Sequence, residues 1–446
     1  MQTTSARSAA RVSRSTLLWR SAAGSDTGRA AGLAAAMIAS NVIALAFTIV
    51  FARVLGASGY GSLAALVSAF IILMVPGSAL QIAVAREVSR AAASGDPDAG
   101  AGVRRWLGRL GLATLIVAAA AIPLRDVIAA VVNVDEVWAA AAVPITGMLW
   151  ALLSVERGAL QGFEGYRIVG FSIVGEAGSR LALSLALVAI GLDVTGAFLG
   201  SALSLMAIAA ILAVPLHRRL PPRRARHQAS ARLRDLLAGA LAPVLGLTLL
   251  FVLQEVHVIV VKHQATGDAA GSYAVAAVAA KAIIWVAIGL GLYLLPEAAR
   301  RANSGVDARP IFARTLALIA CAAVPMVLIF ALGGEPLLRA VFGEDLTEAA
   351  GALPWLGLAM SLLACSYLSV QYLLALGRSG FIWLLGCAAA VELALLAGIG
   401  ADLERVALAL FAIQLGCATA VLTLSYRTRE PPLEPGPRAS AAPASD

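Results

Sequence analysis

Twelve stretches of mostly apolar residues follow one another along this chain, at about 31–52, 61–85, 107–123, 138–160, 168–190, 194–215, 236–261, 270–295, 312–332, 349–376, 380–399 and 403–426. A bilayer span needs roughly 20 such residues. Composition agrees, with 60% apolar and 13% charged residues, against about 45–50% and about 25% in soluble domains. The sequence therefore predicts an all-α, polytopic membrane protein with about twelve transmembrane helices.

The formal net charge of +8 invites a nucleic-acid reading until the basic residues are placed along the chain. Taking the N-terminus as cytoplasmic, 27 of the 34 Lys and Arg residues fall in internal segments and five, Arg53, Arg125, Lys262, Arg339 and Arg405, in outer ones. The remaining two, Arg180 and Lys281, lie inside spans. The alternation holds at every loop, so basic charge sets the topology and both termini are expected in the cytoplasm, in a multi-pass protein of the cytoplasmic membrane. Nucleic acid is not an expected partner.

The stretch Phe51 to Arg90, shifted by 210 positions, lands on Val261 to Arg300. Gly61, Ser62, Glu87 and Arg90 then face Gly271, Ser272, Glu297 and Arg300. A second match, at an offset of 215, sets Gly162, Gly165 and Tyr166 against Gly377, Gly380 and Phe381. Two copies separated by nearly half the chain predict two six-helix pseudo-symmetric lobes around a central cavity, and six spans per copy make this a parallel repeat. The expected division is a basic tail at 1–28, an N-lobe at 29–215, a basic linker at 216–234, a C-lobe at 235–426 and a second tail at 427–446. The tails are expected to be disordered, and the linker, with Pro221-Pro222, to meet anionic lipid headgroups. The N-terminal thirty residues have no apolar core of their own, so the first span is expected to act as the insertion signal. Cys321, Cys365, Cys387 and Cys417 all fall in spans without paired spacing and read as small core residues.

Several local features bear on function. Asn41 and Thr48 are seven apart and share a helical face, where an interhelical hydrogen bond or a cavity contact are the two readings. The segment Arg53-Val-Leu-Gly-Ala-Ser-Gly-Tyr-Gly predicts a tight outer hairpin. Pro76-Gly77 predicts a kink in the second span, which ends in Gln81, Arg86, Glu87 and Arg90. The histidines His217, His227, His257 and His263 form no HExxH pattern, and no Walker loop occurs, so no enzymatic activity and no cofactor is expected.

Ionisable residues at membrane depth remain: Glu176 and Arg180 in the fifth span, Glu255 and His257 in the seventh, Lys281 in the eighth and Glu392 in the eleventh. A charge at the bilayer centre costs about 2.5–3.5 kcal/mol on insertion scales, which calls for a partner or a watery path. Glu176 and Arg180 are four apart and can neutralise each other. Glu255 and Lys281 differ in depth by around 6 Å on either side of the turn at Thr266, close enough to pair. Alternatively Arg180 and Lys281 converge as cations for an anionic group, and Glu176, Glu255 and Glu392 hold a coupling Na+ or H+.

The hairpin segment Arg53-Val-Leu-Gly-Ala-Ser-Gly-Tyr-Gly-Ser-Leu-Ala, the segment Glu-Arg-Gly-Ala-Leu-Gln-Gly-Phe-Glu-Gly-Tyr ending at Tyr166, and Gly271-Ser-Tyr-Ala-Val-Ala before Leu295-Pro-Glu-Ala-Ala-Arg300 resemble the polysaccharide transporter family of flippases. That family belongs with the MATE carriers and lipid II flippases in one superfamily. The resemblance runs from about 28 to 426 and implies two six-helix lobes that open alternately inward and outward. It implies, as substrate, a polyprenyl-(pyro)phosphate-linked glycan moved from the inner to the outer leaflet, with membrane lipids and glycan assembly enzymes as neighbours. Family members often carry an acid where this chain has His257. On this reading Arg180 and Lys281 contact phosphate; Asn41, Gln81 and Gln254 contact sugar or gate; and Glu87, Arg90, Glu297 and Arg300 form a cytoplasmic gate. The alternatives are a MATE-like cation-coupled drug antiporter and a membrane glycan polymerase or ligase. The enzyme reading has one outer loop to draw on, Gly333 to Glu348, with Glu335, Arg339, Glu344 and Asp345.

Overall fold

A computed structural model describes residues 26–94, 101–220 and 229–428. The expected tails and the Pro221-Pro222 part of the linker lie almost wholly outside these residues. The described chain is helical throughout: α1 (Asp26–Ala93), α2 (Ala101–Ala121), α3 (Arg125–Val132), α4 (Val137–Gly162), α5 (Tyr166–Leu187), α6 (Asp193–Arg219), α7 (Ala229–Gln264), α8 (Gly267–Ala280), α9 (Ala282–Asn303), α10 (Arg309–Phe342), α11 (Leu353–Ala375), α12 (Phe381–Ile399) and α13 (Leu403–Arg427).

Among the described residues nine continuous helical stretches are long and apolar enough to cross a membrane. One, Gly32–Ala93, has 62 residues, which at 1.5 Å per residue is roughly three times the ~30 Å hydrocarbon core. It must therefore cross twice. The reversal comes at Gly56, with φ 66° and ψ −176°, a conformation that a residue without Cβ adopts freely. The expected multi-residue hairpin loop is thus a one-residue break in helix, because the residues on both sides of Gly56 complete their backbone bonds within helix. Pro76 remains inside α1. The stretch Tyr166–Arg219, with 54 residues, likewise holds two spans, α5 and α6. They are separated by a π turn at Val188–Leu192, where Gly191 has φ 89°, and by Asp193 at φ 39°. A tenth candidate combines α2 and α3, bent by 84°. Counted this way, the expected twelve spans are present among the described residues.

The chain forms two compact units. In the first, α6 packs on α4 and α5, and α2 and α3 pack on α4. Basic side chains close helix ends here: Arg104 donates to the carbonyls of His217 and Leu220, both at 3.3 Å, and Arg219 to that of Phe163 at 3.0 Å. These are favourable placements for cations, at the carbonyl ends of helices. In the second unit α13 packs on α11 and α12, and α9 and α10 pack on α11. Offsetting α4, α5 and α6 by the sequence repeat gives α11, α12 and α13, so in each unit the third of these helices packs on the other two. The matched turns also agree, since Gly165 precedes α5 and Gly380 precedes α12.

The basic stretch expected at 216–234 is helical at both ends, in α6 to Arg219 and in α7 from Ala229. Two expectations need correction. Most of the supposed outer loop Gly333 to Glu348 belongs to α10, which breaks backbone geometry at Gly333 and continues to Phe342. Glu335 and Arg339 pair along that helix. Lastly, the four cysteines are free, but Cys321 and Cys387 are exposed on helix surfaces and only Cys417 is buried. Small apolar side chains sit as readily against lipid as in a core. The second unit also takes in Gly56–Ser68, a segment that the sequence division assigns to the N-lobe.

Candidate functional site

In the first unit the buried charges gather on α4 and α5. Arg157 is 3% exposed. Its Nε donates to Ser172 Oγ at 3.0 Å, its Nη2 to the Ser172 carbonyl at 2.9 Å, and Nη2 lies 4.0 Å from Glu176 Oε2. Its guanidinium sits 5.7 Å from the centre of the Trp150 ring. The neighbouring Glu156 is equally buried, and its Oε2 has no hydrogen-bond partner among the described residues. The carbonyl of Glu176 accepts from Ser204 at 2.8 Å, tying α5 to α6. Arg180 points elsewhere: its guanidinium lies 4.9 Å from the Phe47 ring centre, and its buried Nε has no partner among the described residues. The expected Glu176–Arg180 pair is therefore replaced by Glu176–Arg157, because Arg157 projects from α4 toward the same face of α5. Arg157 is a buried structural cation and not one of the loop arginines that set topology.

In the second unit Glu255 and Lys281 meet across the α7–α8 turn, as their depths predict, with Nζ 2.8 Å from Oε2. Ser68 Oγ donates to the same oxygen at 2.8 Å and Gln254 Nε2 to Oε1 at 2.9 Å. Both carboxylate oxygens are thus engaged in a site where Glu255 is 1% and Lys281 7% exposed. A buried pair of this kind is held by such extra hydrogen bonds, since the Coulomb gain alone does not cover desolvation. Farther along α7, His257 Nδ1 lies 3.0 Å from the Tyr273 hydroxyl, with the rings edge to face. Glu392 is fully buried; its Oε2 accepts from Gln414 Nε2 at 3.3 Å, and its Oε1 has no partner among the described residues.

The remaining candidates separate into satisfied and open groups. Gln81 Nε2 donates to Gln161 Oε1 at 3.2 Å, joining α1 to α4. Thr48 bonds the Ala44 carbonyl of its own helix at 3.2 Å, while Asn41 is exposed on α1. Glu87 pairs with Arg90 at 3.5 Å. Glu297 pairs with Arg300 at 2.8 Å and Arg301 at 2.7 Å. All three contacts lie along single helices.

A family model described as "Polysaccharide biosynthesis protein" matches residues 30–296. The chain belongs to this family. The match takes in the whole first charge cluster and, in the second unit, the Glu255–Lys281 pair with Ser68, but stops before Glu392 and Gln414. No curated protein matches the chain. Among solved structures, an inward-facing conformation of a multidrug resistance MATE family transporter of the MOP superfamily matches with TM-score 0.74 and 12% identity, over 87% of this chain and 94% of that one. A MOP superfamily transporter from Pyrococcus furiosus, reported for the reverse polarity of its binding pocket, matches at 0.63 and 13%, over 90% and 93%. A Vibrio cholerae MATE transporter matches at 0.62 and 17%, over 90% and 96%. The protein is therefore a multi-pass member of the polysaccharide biosynthesis family with the fold of MATE-type transporters.

Sequence reasoning overlooked Glu156, Arg157 and Ser68. The first two had a readable signal: an acid and a base side by side before the end of an apolar run must be buried or flank the membrane edge, and Ser172 lies one helix away. Ser68 had none, because a lone serine in a span reads as a small residue.

Proposed function

We propose that this protein is a membrane transporter that carries a polyprenyl-(pyro)phosphate-linked glycan from the inner to the outer leaflet by alternating access. The observation that carries the reading is Arg180. It is a cation at membrane depth, left by its helical neighbour Glu176, resting on an aromatic face and retaining an unpartnered N–H in a family defined by polysaccharide biosynthesis. An arginine in that state has donors to offer a phosphate oxygen. In the second unit Lys281 offers a cation to an anionic group when it leaves Glu255, and Asn41, Gln81 and Gln254 offer amides to sugar hydroxyls. Moving such a headgroup through hydrocarbon would leave each polar group unsatisfied at several kcal/mol, and fixed polar groups of the protein replace that barrier. Of the three acids, Glu392 retains an oxygen without a partner among the described residues, and we assign it to the coupling Na+ or H+. No covalent step is part of this function.

The test is translocation of a fluorescent polyprenyl-pyrophosphate sugar in proteoliposomes, with leaflets counted by quenching from outside, with and without a sodium or proton gradient. Protein-dependent movement that Arg180→Gln reduces supports the reading. Unchanged movement after Arg180→Gln together with Lys281→Gln would overturn the phosphate role. Transport of cationic dyes in place of the glycan lipid, lost with Glu176→Gln, would instead make the protein a cation-coupled antiporter.

A further inference from the structure

One exposed stripe of α2 changes character part-way along its length. Leu112, Leu115 and Ile116 are 60%, 69% and 60% exposed, as suits side chains that lie against hydrocarbon. Three and seven residues before Leu112 the same stripe carries Arg109 and Arg105, both exposed. A Cβ at the neighbouring Gly108 or Gly111 would meet nothing within 4 Å, so the surface around the two arginines is open. Among the described residues neither arginine makes a hydrogen bond or an ion pair. Arg104, the next residue in the chain, is placed otherwise and donates to the His217 and Leu220 carbonyls. Three physical terms leave Arg105 and Arg109 unsatisfied within the protein. Like charges one helical turn apart repel. The first turn of α2 holds no acid, and cations near a helix N-terminus oppose its dipole. At 1.5 Å per residue Arg109 also stands about 10 Å up the apolar stretch that begins at Gly102, where a charge calls for a partner. The second unit does without such a pair. Buried Val103 and Ala121 of α2 match buried Phe312 and Phe330 of α10, both 209 positions on. That register sets Arg105 against the exposed Arg314, but Arg109 against Leu318, which is 54% exposed.

We propose that Arg105 and Arg109 form a headgroup site for an anionic phospholipid of the leaflet in which α2 begins. The two guanidinium groups hold the lipid phosphate, and its acyl chains lie on Leu112, Leu115 and Ile116. Residues four apart on a helix have Cβ atoms about 5–6 Å apart, close enough for two planar forks to converge on one phosphate. Helical side chains lean toward the N-terminus, which here is the membrane edge, so both arginines reach headgroup depth along their own apolar stems. The phosphate cancels the repulsion between the arginines and the mismatch with the dipole in one step. A zwitterionic lipid brings an ammonium group that the same arginines repel, so the site prefers a headgroup of net negative charge. The apolar stripe continuing from Arg109 favours a lipid over a free phosphate, which would leave that surface unused. The site lies on the exterior of α2 and stands whether or not the flippase reading does.

The experiment places full-length protein in phosphatidylcholine nanodiscs that contain a small fraction of photoreactive phosphatidylglycerol, with a diazirine in its acyl chain. After illumination, mass spectrometry of peptides reads how much lipid is attached to Gly102–Ala121. Attachment from phosphatidylglycerol should exceed that from photoreactive phosphatidylcholine about tenfold, as a charge-assisted contact implies. Arg105→Gln with Arg109→Gln should remove this excess, and Arg105→Lys with Arg109→Lys should keep part of it. Arg314→Gln in the second unit should leave attachment to α2 within about twofold. The comparison of the two lipids on the unaltered protein does not depend on any variant folding. Equal attachment from both lipids overturns the site, as does an excess that survives the double Gln change. Asp96 and Asp98, which precede α2, lie outside the described residues, and Asp96→Asn with Asp98→Asn should change attachment less than about twofold. A tenfold rise in that variant overturns the site, because those acids and not a lipid would then neutralise the arginines. Displacement of the photoreactive lipid from α2 by an equimolar polyprenyl pyrophosphate overturns the phospholipid as occupant and gives the pair to the transported lipid.

Discussion

Arg157 in the first unit and Glu255 in the second are each the hub of a buried charge network, but the two hubs are satisfied differently. Glu255 takes donors on both oxygens, from Lys281 and Ser68 on one and Gln254 on the other. Arg157 gives two hydrogen bonds to Ser172 and keeps its nearest carboxylate, that of Glu176, at 4.0 Å; beside it one Glu156 oxygen is open. The positions that match Glu156 and Arg157 under the 215 offset are Gln371 and Tyr372, both neutral. Gln371 donates to the Tyr367 hydroxyl at 2.7 Å, and Tyr372 stacks on Phe312 at 4.5 Å. The two units thus share a helical frame and not a charge pattern. A closed network resists rearrangement because every exchange of partner strands a charge, while an open one can trade partners at small cost.

The sharpest way to break this contrast is Lys281→Met. It removes the cation and leaves Glu255 buried with two neutral donors, and should destabilise the protein by about 3–5 kcal/mol, as loss of one member of a buried pair does. Thermal unfolding in detergent checks it. The double change Lys281→Met with Glu255→Gln should recover most of the loss, and a double-mutant cycle gives the coupling. If Lys281→Met alone were harmless, the second network would not be closed. Next in size is Arg157→Met, which leaves the Ser172 acceptors and Glu176 without their donor. About 2–4 kcal/mol is expected, whereas Glu176→Gln, with its longer contact, should cost about 1 kcal/mol or less. Equal costs for the two would mean that the pair is as tight as the one in the second unit.

How much of this was legible in the sequence follows from range of interaction. The twelve spans could be read because bilayer thickness imposes a length on every apolar run, and the Glu255–Lys281 contact because one turn at Thr266 fixes both depths. The Glu176–Arg180 expectation failed for the complementary reason. Helical spacing shows which residues can meet on one helix but is silent on a competitor from another, and Arg157 on α4 is that competitor. Gly56 was readable as a turn residue, but its reduction of a loop to one residue was not, since both flanks are equally apolar. Gly61 and Gly271, matched by the repeat, meet in the structure, where a Cβ at Gly61 would lie 3.0 Å from the Gly271 backbone nitrogen; a repeat identifies equivalent residues without saying that they touch.

Arg180 and Gln81, both in the first unit but outside the Arg157 network, carry the smaller stability effects and test whether that unit meets the substrate. Arg180 rests on Phe47, so Arg180→Gln should lower stability by about 1 kcal/mol while cutting glycan-lipid translocation at least about tenfold, the consequence of losing a charge-assisted contact of roughly 1.5–3 kcal/mol. A fall in stability with full translocation would return Arg180 to a packing role.

Gln81 gives the finest discrimination. Its amide joins α1 to α4 through Gln161, a neutral hydrogen bond worth about 1 kcal/mol. Gln81→Ala and Gln161→Ala should therefore destabilise by similar small amounts, because either truncation removes the same bond. If the bond is only structural, the two variants should also translocate alike, and the double variant should lose no more than either single one. If Gln81 exchanges Gln161 for a sugar hydroxyl during transport, Gln81→Ala should lower translocation while Gln161→Ala, which frees the Gln81 amide, leaves it unchanged or raises it. The two variants are matched in stability and opposed in transport, so measured side by side in the same vesicles they separate a helix tie from a substrate contact.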